Sequence, residues 1–153
     1  DFSFRLHVVG RGDAEEALKR KAVELGMEQR VRWTPWLGPA DLRAAIEKSL
    51  LVVLPSRHES FGNAMAETLA VGAPLVTTKA GSIPGVVGEC AVMAQADCVD
   101  SLRAEIRNAV EAPEVIRACA QKGQAQMAER FQWSAVAHAF ADVYSRFLKI
   151  VFL

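Results

Sequence analysis

Leu50-Leu-Val-Val-Leu-Pro-Ser-Arg-His-Glu-Ser-Phe-Gly-Asn-Ala-Met-Ala-Glu67 decides how this chain folds. Leu50 to Leu54 is short, wholly apolar and Val-rich, as expected of a strand buried on both faces of a parallel sheet. Pro55 stops it, and Ser56 to Ser60 read as loop. Gly62-Asn63 opens a helix that points Met65 and Leu69 at the core until Gly72 and Pro74 end it. Glu59 is thereby placed on the loop and Glu67 in the early turns of the helix. Between them lie the first backbone N–H groups of that helix, which have no partners within it and carry the positive end of its dipole. A phosphate can dock there without a lysine. Two carboxylates around such a helix start make a pocket suited to a polyhydroxylated, phosphate-bearing ligand, and Gly62 is expected to let that ligand come close.

Outward from this stretch, strands and helices alternate. Phe4 to Val9, Val31 to Trp33, Pro74 to Thr78 and a short Cys90 to Ala94 read as strands. Asp13, with Glu16 three residues on, reads as the N-cap of a helix running to Gly26; Pro39 to Lys48 is another helix. Beyond Asp100 the periodicity is helical, with faces marked by Leu102, Ile106 and Val110, by Val115, Cys119 and Met127, and by Val136, Phe140, Val143 and Phe147. Alternation of this kind predicts an α/β fold, a doubly wound parallel sheet of Rossmann type with extra C-terminal helices, in a single domain over 1–153. Ligands of such sheets bind outside the carboxyl ends of the strands. The loops Gly10 to Gly12, Thr34 to Pro39, Pro55 to Asn63 and Thr77 to Pro84 are therefore expected to line one edge.

Composition excludes other classes. The 153 residues are 51% apolar and 24% charged, with a net charge of zero and no basic cluster, so no nucleic-acid partner is expected. No apolar run reaches the roughly 20 residues of a membrane span, and the tail Phe147 to Leu153 is too short. Cys90, Cys98 and Cys119 are odd in number and lack CxxC spacing, which suggests reduced thiols and a cytoplasmic protein. The start at Asp1, without methionine, points to a fragment or processed product. Gly10-Arg-Gly12 is followed by Asp13, Ala14 and Glu15 rather than a third glycine, which argues against a dinucleotide fingerprint. A glycosidase pair would not need a phosphate-binding helix start between its carboxylates. His7 and His138 show no paired ligand spacing for zinc.

The ordered set Val8-Val-Gly-Arg-Gly12, Arg30-Val-Arg-Trp33, Leu54-Pro-Ser56, Glu59-x7-Glu67, Ala70-Val-Gly-Ala-Pro-Leu-Val76, Gly81-Ser-Ile-Pro84 and Phe131-Gln-Trp133 resembles the retaining glycosyltransferases of family 4, over nearly the whole chain. The resemblance implies the C-terminal, donor-binding lobe of a GT-B fold, with the N-terminal acceptor lobe absent. It implies transfer of a sugar from a nucleotide-sugar donor to an acceptor hydroxyl with retained configuration, in glycan, polysaccharide or glycolipid assembly. Glu59 would be the catalytic residue beside the transferred sugar, though not a conventional general base, and Glu67 would bind the donor ribose. Phe61, Gly62, Asn63 and Ala64 would hold sugar and diphosphate through their backbone, His58 would approach the phosphate or acceptor, and Gly10, Gly12 and Leu37 would line the donor pocket. It implies no cofactor and no metal, a glycan or lipid-linked acceptor met through the other lobe, and a place in the cytoplasm, peripheral at the inner membrane face in the complete protein.

Departures are specific. Gly85 stands where the family carries a Glu, Val86 to Cys90 is a shortened turn, and the family's first strand with its Gly-Arg turn and Lys precedes Asp1. The isolated piece is therefore expected to be inactive. Each residue also has a plainer reading: Glu59 and Glu67 as a solvated loop acid and a helix-start acid, His58 as a surface histidine, Asn63 as a cap, and Arg11, Arg57 and Lys79 as surface charges. A non-catalytic nucleotide-sugar-binding or interaction domain of the same fold is the alternative function.

Overall fold

The computed structural model describes residues 3–151. Its elements are β1 (Leu6–Val9), α1 (Glu15–Glu24), a 3-10 turn at Glu28–Arg30, β2 (Val31–Thr34), α2 (Pro39–Glu47), β3 (Val52–Leu54), α3 (Asn63–Ala70), β4 (Leu75–Thr78), α4 (Ile83–Val87), β5 (Val92–Ala94), α5 (Val99–Glu111), α6 (Pro113–Phe131) and α7 (Trp133–Val151). All strand pairs are parallel. The α/β class therefore holds, but the strands form two sheets rather than one: β1–β2, and β3-β4-β5 with β4 central. The chain correspondingly divides into units Asp1–Ala44 and Ala45–Leu153.

In the first unit β1 and β2 pair from Leu6 opposite Val31 to Val9 opposite Thr34. Asp13 is not the cap of α1. The amide of Glu15 donates to the carbonyl of Gly12 at 3.0 Å, making a turn that delays the helix, and the cap position falls on Ala14, which has no side-chain acceptor. Lys19 instead ties the first turn, 2.8 Å from Glu15 and 3.0 Å from Glu16. Hydrogen bonding to Lys19 holds the Glu15 carboxyl below its ordinary range, and Glu15 in turn raises Lys19, but solvent screens so exposed a group.

The second unit is built around β4, whose four residues are all buried. Its side chains alternate between two faces, as a pleated strand requires. Leu75 joins Met65 and Leu69 of α3, Ile83 and Val87 of α4, Cys90 and Met127 of α6. Val76 joins Ala109 and Ile116 on the other side. This two-faced cover is the doubly wound arrangement. The strand expected over Leu50 to Leu54 is shorter and only half-buried, with Leu50 64% exposed. It is an outer strand of its sheet, and its pairing starts where Val52 donates to the carbonyl of Pro74, which has no N–H to extend the ladder.

Three further expectations shift. The buried face of α6 is Ile116, Ala120, Gly123 and Met127, one residue on from Val115, which is 64% exposed. One residue is about 100° of helix, so that reading turned Val115 outward and left Cys119 half-buried, while Met127 is buried as expected. The turn after Gly81 is the helix α4, which the Gly and Pro residues around it concealed. On α7, Phe140, Val143 and Phe147 are exposed and Val136 is half-buried, so this stripe has no cover among the described residues. The apolar end Ile150–Leu153 lies outside the residues whose side chains are described.

Cys90, Cys98 and Cys119 are free thiols. Burial pushes the Cys90 thiol up, which keeps it protonated at neutral pH. Because the thiolate is the nucleophile, iodoacetamide at pH 8 is expected to modify the half-buried Cys98 and Cys119 first and to reach Cys90 only on unfolding, as mapped by peptide mass spectrometry. Labelling of Cys90 at the same rate as the others would show that the α4–α6 packing opens readily.

Candidate functional site

The loop from Pro55 to Gly62 leaves the carboxyl end of β3 and is held almost wholly by the neighbouring strand and its exit. Thr77 Oγ1 donates to the carbonyl of Leu54 at 2.9 Å, and Thr78 Oγ1 to the carbonyl of Ser56. Ser82 donates its amide to the carbonyl of Glu59 at 3.2 Å and its hydroxyl to the carbonyl of Ser60 at 2.6 Å. Gly81, at φ +54°, lies so close beneath Glu59 that an added Cβ would overlap the Glu59 carbonyl oxygen. The Glu59 side chain is oriented in turn by Ser56 Oγ, 3.1 Å from Oε1. Glu59 is half-buried, and its other carboxylate oxygen carries no partner among the described residues.

At the end of the loop Gly62 takes φ +91°, ψ +57° and becomes the cap of α3. The amides of Met65 and Ala66 turn back to its carbonyl at 3.0 and 3.1 Å, so those of Asn63 and Ala64 are left without a backbone acceptor. Asn63 is the first helical residue rather than the cap. Gly62 is buried, and a Cβ there would lie 2.7 Å from Met65 Sδ. Left-handed backbone and close packing on Met65 therefore account for this glycine, without any need for a ligand to approach it.

Glu67 lies one turn into α3, exposed, and lines a groove of about 480 Å³ between α3 and α6 whose floor is Ala66, Ala70, Met127 and Phe131, with Gln124 and Gln132 beside them. Phe61 props the mouth, its ring edge-on to Phe131 at 5.3 Å. Arg57 Nε meets Asp97 Oδ1 at 2.8 Å, tying the loop after β3 to the loop after β5, where Asp97 has φ +55°. His58 is exposed beside them. Glu59, Glu67, His58 and Phe61 to Ala64 all belong to this one unit.

Gly10, Gly12 and Leu37 belong to the other unit. Gly10, at φ +142°, donates to the carbonyl of Thr34 at 3.0 Å, and Gly12 closes the turn before α1. Leu37 is half-buried beside Trp36, which is 73% exposed. Sequence reasoning missed Asp97 and Gln124. Ser82 and Gln132 stood inside the quoted motifs Gly81-Ser-Ile-Pro84 and Phe131-Gln-Trp133, and the Thr77 to Pro84 loop was expected at the ligand edge, but neither residue was given a role of its own.

Residues 1–112 match the family described as glycosyl transferases group 1. The chain belongs to that family. Among group 1 relatives, it is 34% identical over 151 residues to a D-inositol 3-phosphate glycosyltransferase of Segniliparus rotundus, covering 95% of this chain and 33% of that protein. It is 28% identical over 144 residues to an MMP alpha-(1->4)-mannosyltransferase of Mycolicibacterium hassiacum, covering 92% and 35%. The chain thus spans about a third of the length of these relatives. Among solved structures, Anabaena Alr3699/HepE in complex with UDP aligns with TM-score 0.83 at 23% identity over 94% of this chain and 41% of that one. At that identity the likeness shows the fold, that of the GT-B glycosyltransferases. No helix among the described residues of this group 1 chain is long and apolar enough to cross a membrane.

Proposed function

We propose that the Glu59–Glu67 region binds the nucleotide-sugar donor of a retaining glycosyltransferase. The observation that carries this reading is the helix start between the two carboxylates: a loop held by β4 and its exit delivers Glu59, and α3 then presents two unpaired amides and, one turn later, Glu67. Asn63 and Ala64 amides would take the diphosphate, meeting the charge that grows on it as the sugar leaves. Glu67, an ionised acceptor, would receive two hydroxyl groups of the ribose, and the free oxygen of Glu59 those of the transferred sugar. A glycan or lipid-linked hydroxyl is the acceptor, in envelope or glycolipid assembly at the cytoplasmic face. The UDP and UDP-glucose complexes of the Anabaena neighbour support a nucleotide-sugar ligand for this fold.

Isothermal titration of the chain with UDP, GDP, ADP and their sugar conjugates tests the reading. One base is expected to bind, with affinity lowered about tenfold or more by Glu67→Ala, the loss of a charged hydrogen-bond acceptor. Added EDTA should leave that affinity within about twofold, since no metal is invoked. Failure of both this chain and the complete protein to bind any of them would overturn it. Binding by the complete protein without sugar transfer would favour a non-catalytic nucleotide-sugar-binding domain; an inverted product anomer would remove retention.

A further inference from the structure

We propose that Ser82 is a positioning residue for Glu59, acting through the loop backbone rather than on the donor. The proposal rests on the donor-site reading above for its consequence, but on geometry alone for the brace. The Ser82 amide and hydroxyl reach two successive carbonyls, those of Glu59 and Ser60. The hydroxyl also lies 3.3 Å from the Glu59 carbonyl, but with one proton to give it serves the nearer oxygen, on Ser60 at 2.6 Å. Two donors on consecutive carbonyls fix the peptide planes on both sides of Ser60, and hence the direction in which the Glu59 Cα–Cβ bond points. With Ser56 Oγ on Oε1, the other carboxylate oxygen is left at a defined place.

The brace bears on one carboxylate only. The Asn63 and Ala64 amides are set by Gly62 and the packing of Met65, and Glu67 is set by α3 against α6. Loss of the Ser82 hydroxyl frees the Ser60 carbonyl and leaves only the Ser82 amide on the Glu59 carbonyl, so the sugar contact loosens while the nucleotide contacts stay. Ser82 is half-buried, and threonine keeps the hydroxyl at the same place on the side chain.

The test compares Ser82→Ala and Ser82→Thr with the unaltered chain, titrating a nucleoside diphosphate and its sugar conjugate against each. In Ser82→Ala the advantage of the conjugate over the bare nucleotide should fall about tenfold while the bare nucleotide changes by less than about twofold, and Ser82→Thr should restore it. Equal losses for both ligands, no loss for either, or no advantage of the conjugate in the unaltered chain would overturn the proposal. If the unaltered chain binds neither ligand, the donor-site reading passes to the complete protein, as above. Backbone 15N relaxation at Ser60 and Phe61 then decides the brace: lower order in Ser82→Ala alone supports it, and unchanged order overturns it.

Discussion

Leu69→Ala is expected to lower the unfolding free energy by about 2–5 kcal/mol, the range for emptying a fully packed leucine site. Leu69 is 0% exposed and sits where α3, α6 and the segment around Cys90 close on one another. The site has little freedom to collapse, because Gly123 already lets α6 approach so closely that a Cβ there would lie 2.8 Å from Leu69 Cδ2 and 3.2 Å from Cys90 Cβ. Urea denaturation measures the effect as a lower midpoint at an unchanged slope. Gly123→Ala alone should destabilise by about 1–3 kcal/mol through overpacking, less what the helix gains from alanine, and should cost less in the Leu69→Ala background, where its methyl fills vacated space. Simple additivity would mean the two helices do not meet at this point.

Gly81→Ala is expected to cost about 2–4 kcal/mol, combining a left-handed backbone at a residue with a Cβ and a clash that something must yield to. What must yield is the Glu59 carbonyl, a backbone group that cannot swing aside as a side-chain end can. The displaced carbonyl would leave Ser82, so loss of stability and loss of sugar discrimination should arrive together. Gly85, four residues on, is the control: a Cβ there meets nothing within 4 Å, and Gly85→Ala should be neutral or stabilising by up to about 1 kcal/mol. Equal tolerance at both positions, by thermal melting and by titration of the donor, would show that the loop is not pressed against Gly81.

The order of elements from Phe4 to Thr78 was legible because short apolar strands, breaker residues and helical periodicity each leave local marks. Asp13 shows the limit: its spacing to Glu16 satisfied a capping rule, yet one turn at Gly12 moved the helix start past it. Ile116 shows another, since Val115 and Cys119 fit a helical stripe as well as Ile116 and Ala120 do, and only the neighbouring β4 and Ala109 decide which is buried. Glu59 and Glu67 could be placed on loop and helix because Pro55 and Gly62 bracket them. What holds Glu59 was not legible. Its brace comes from Thr77, Thr78, Gly81 and Ser82, 18 or more positions away in sequence, and joins backbone carbonyls that look alike in any sequence. The division of the strands into two sheets was hidden for the same reason, since pairing is a property of non-adjacent segments.

The loop after β3 is gripped chiefly by its carbonyls, at Leu54, Ser56, Glu59 and Ser60, with the Arg57–Asp97 pair and the Phe61 ring on Phe131 as its side-chain ties, and none of these runs through His58 or the side chain of Ser60. Shape and chemistry are thereby uncoupled. The exposed side chains of His58 and Ser60 are free to vary in evolution or in a randomised library without disturbing the frame that presents Glu59. A scaffold of this kind can drift from one ligand to another by single substitutions while remaining folded at every step.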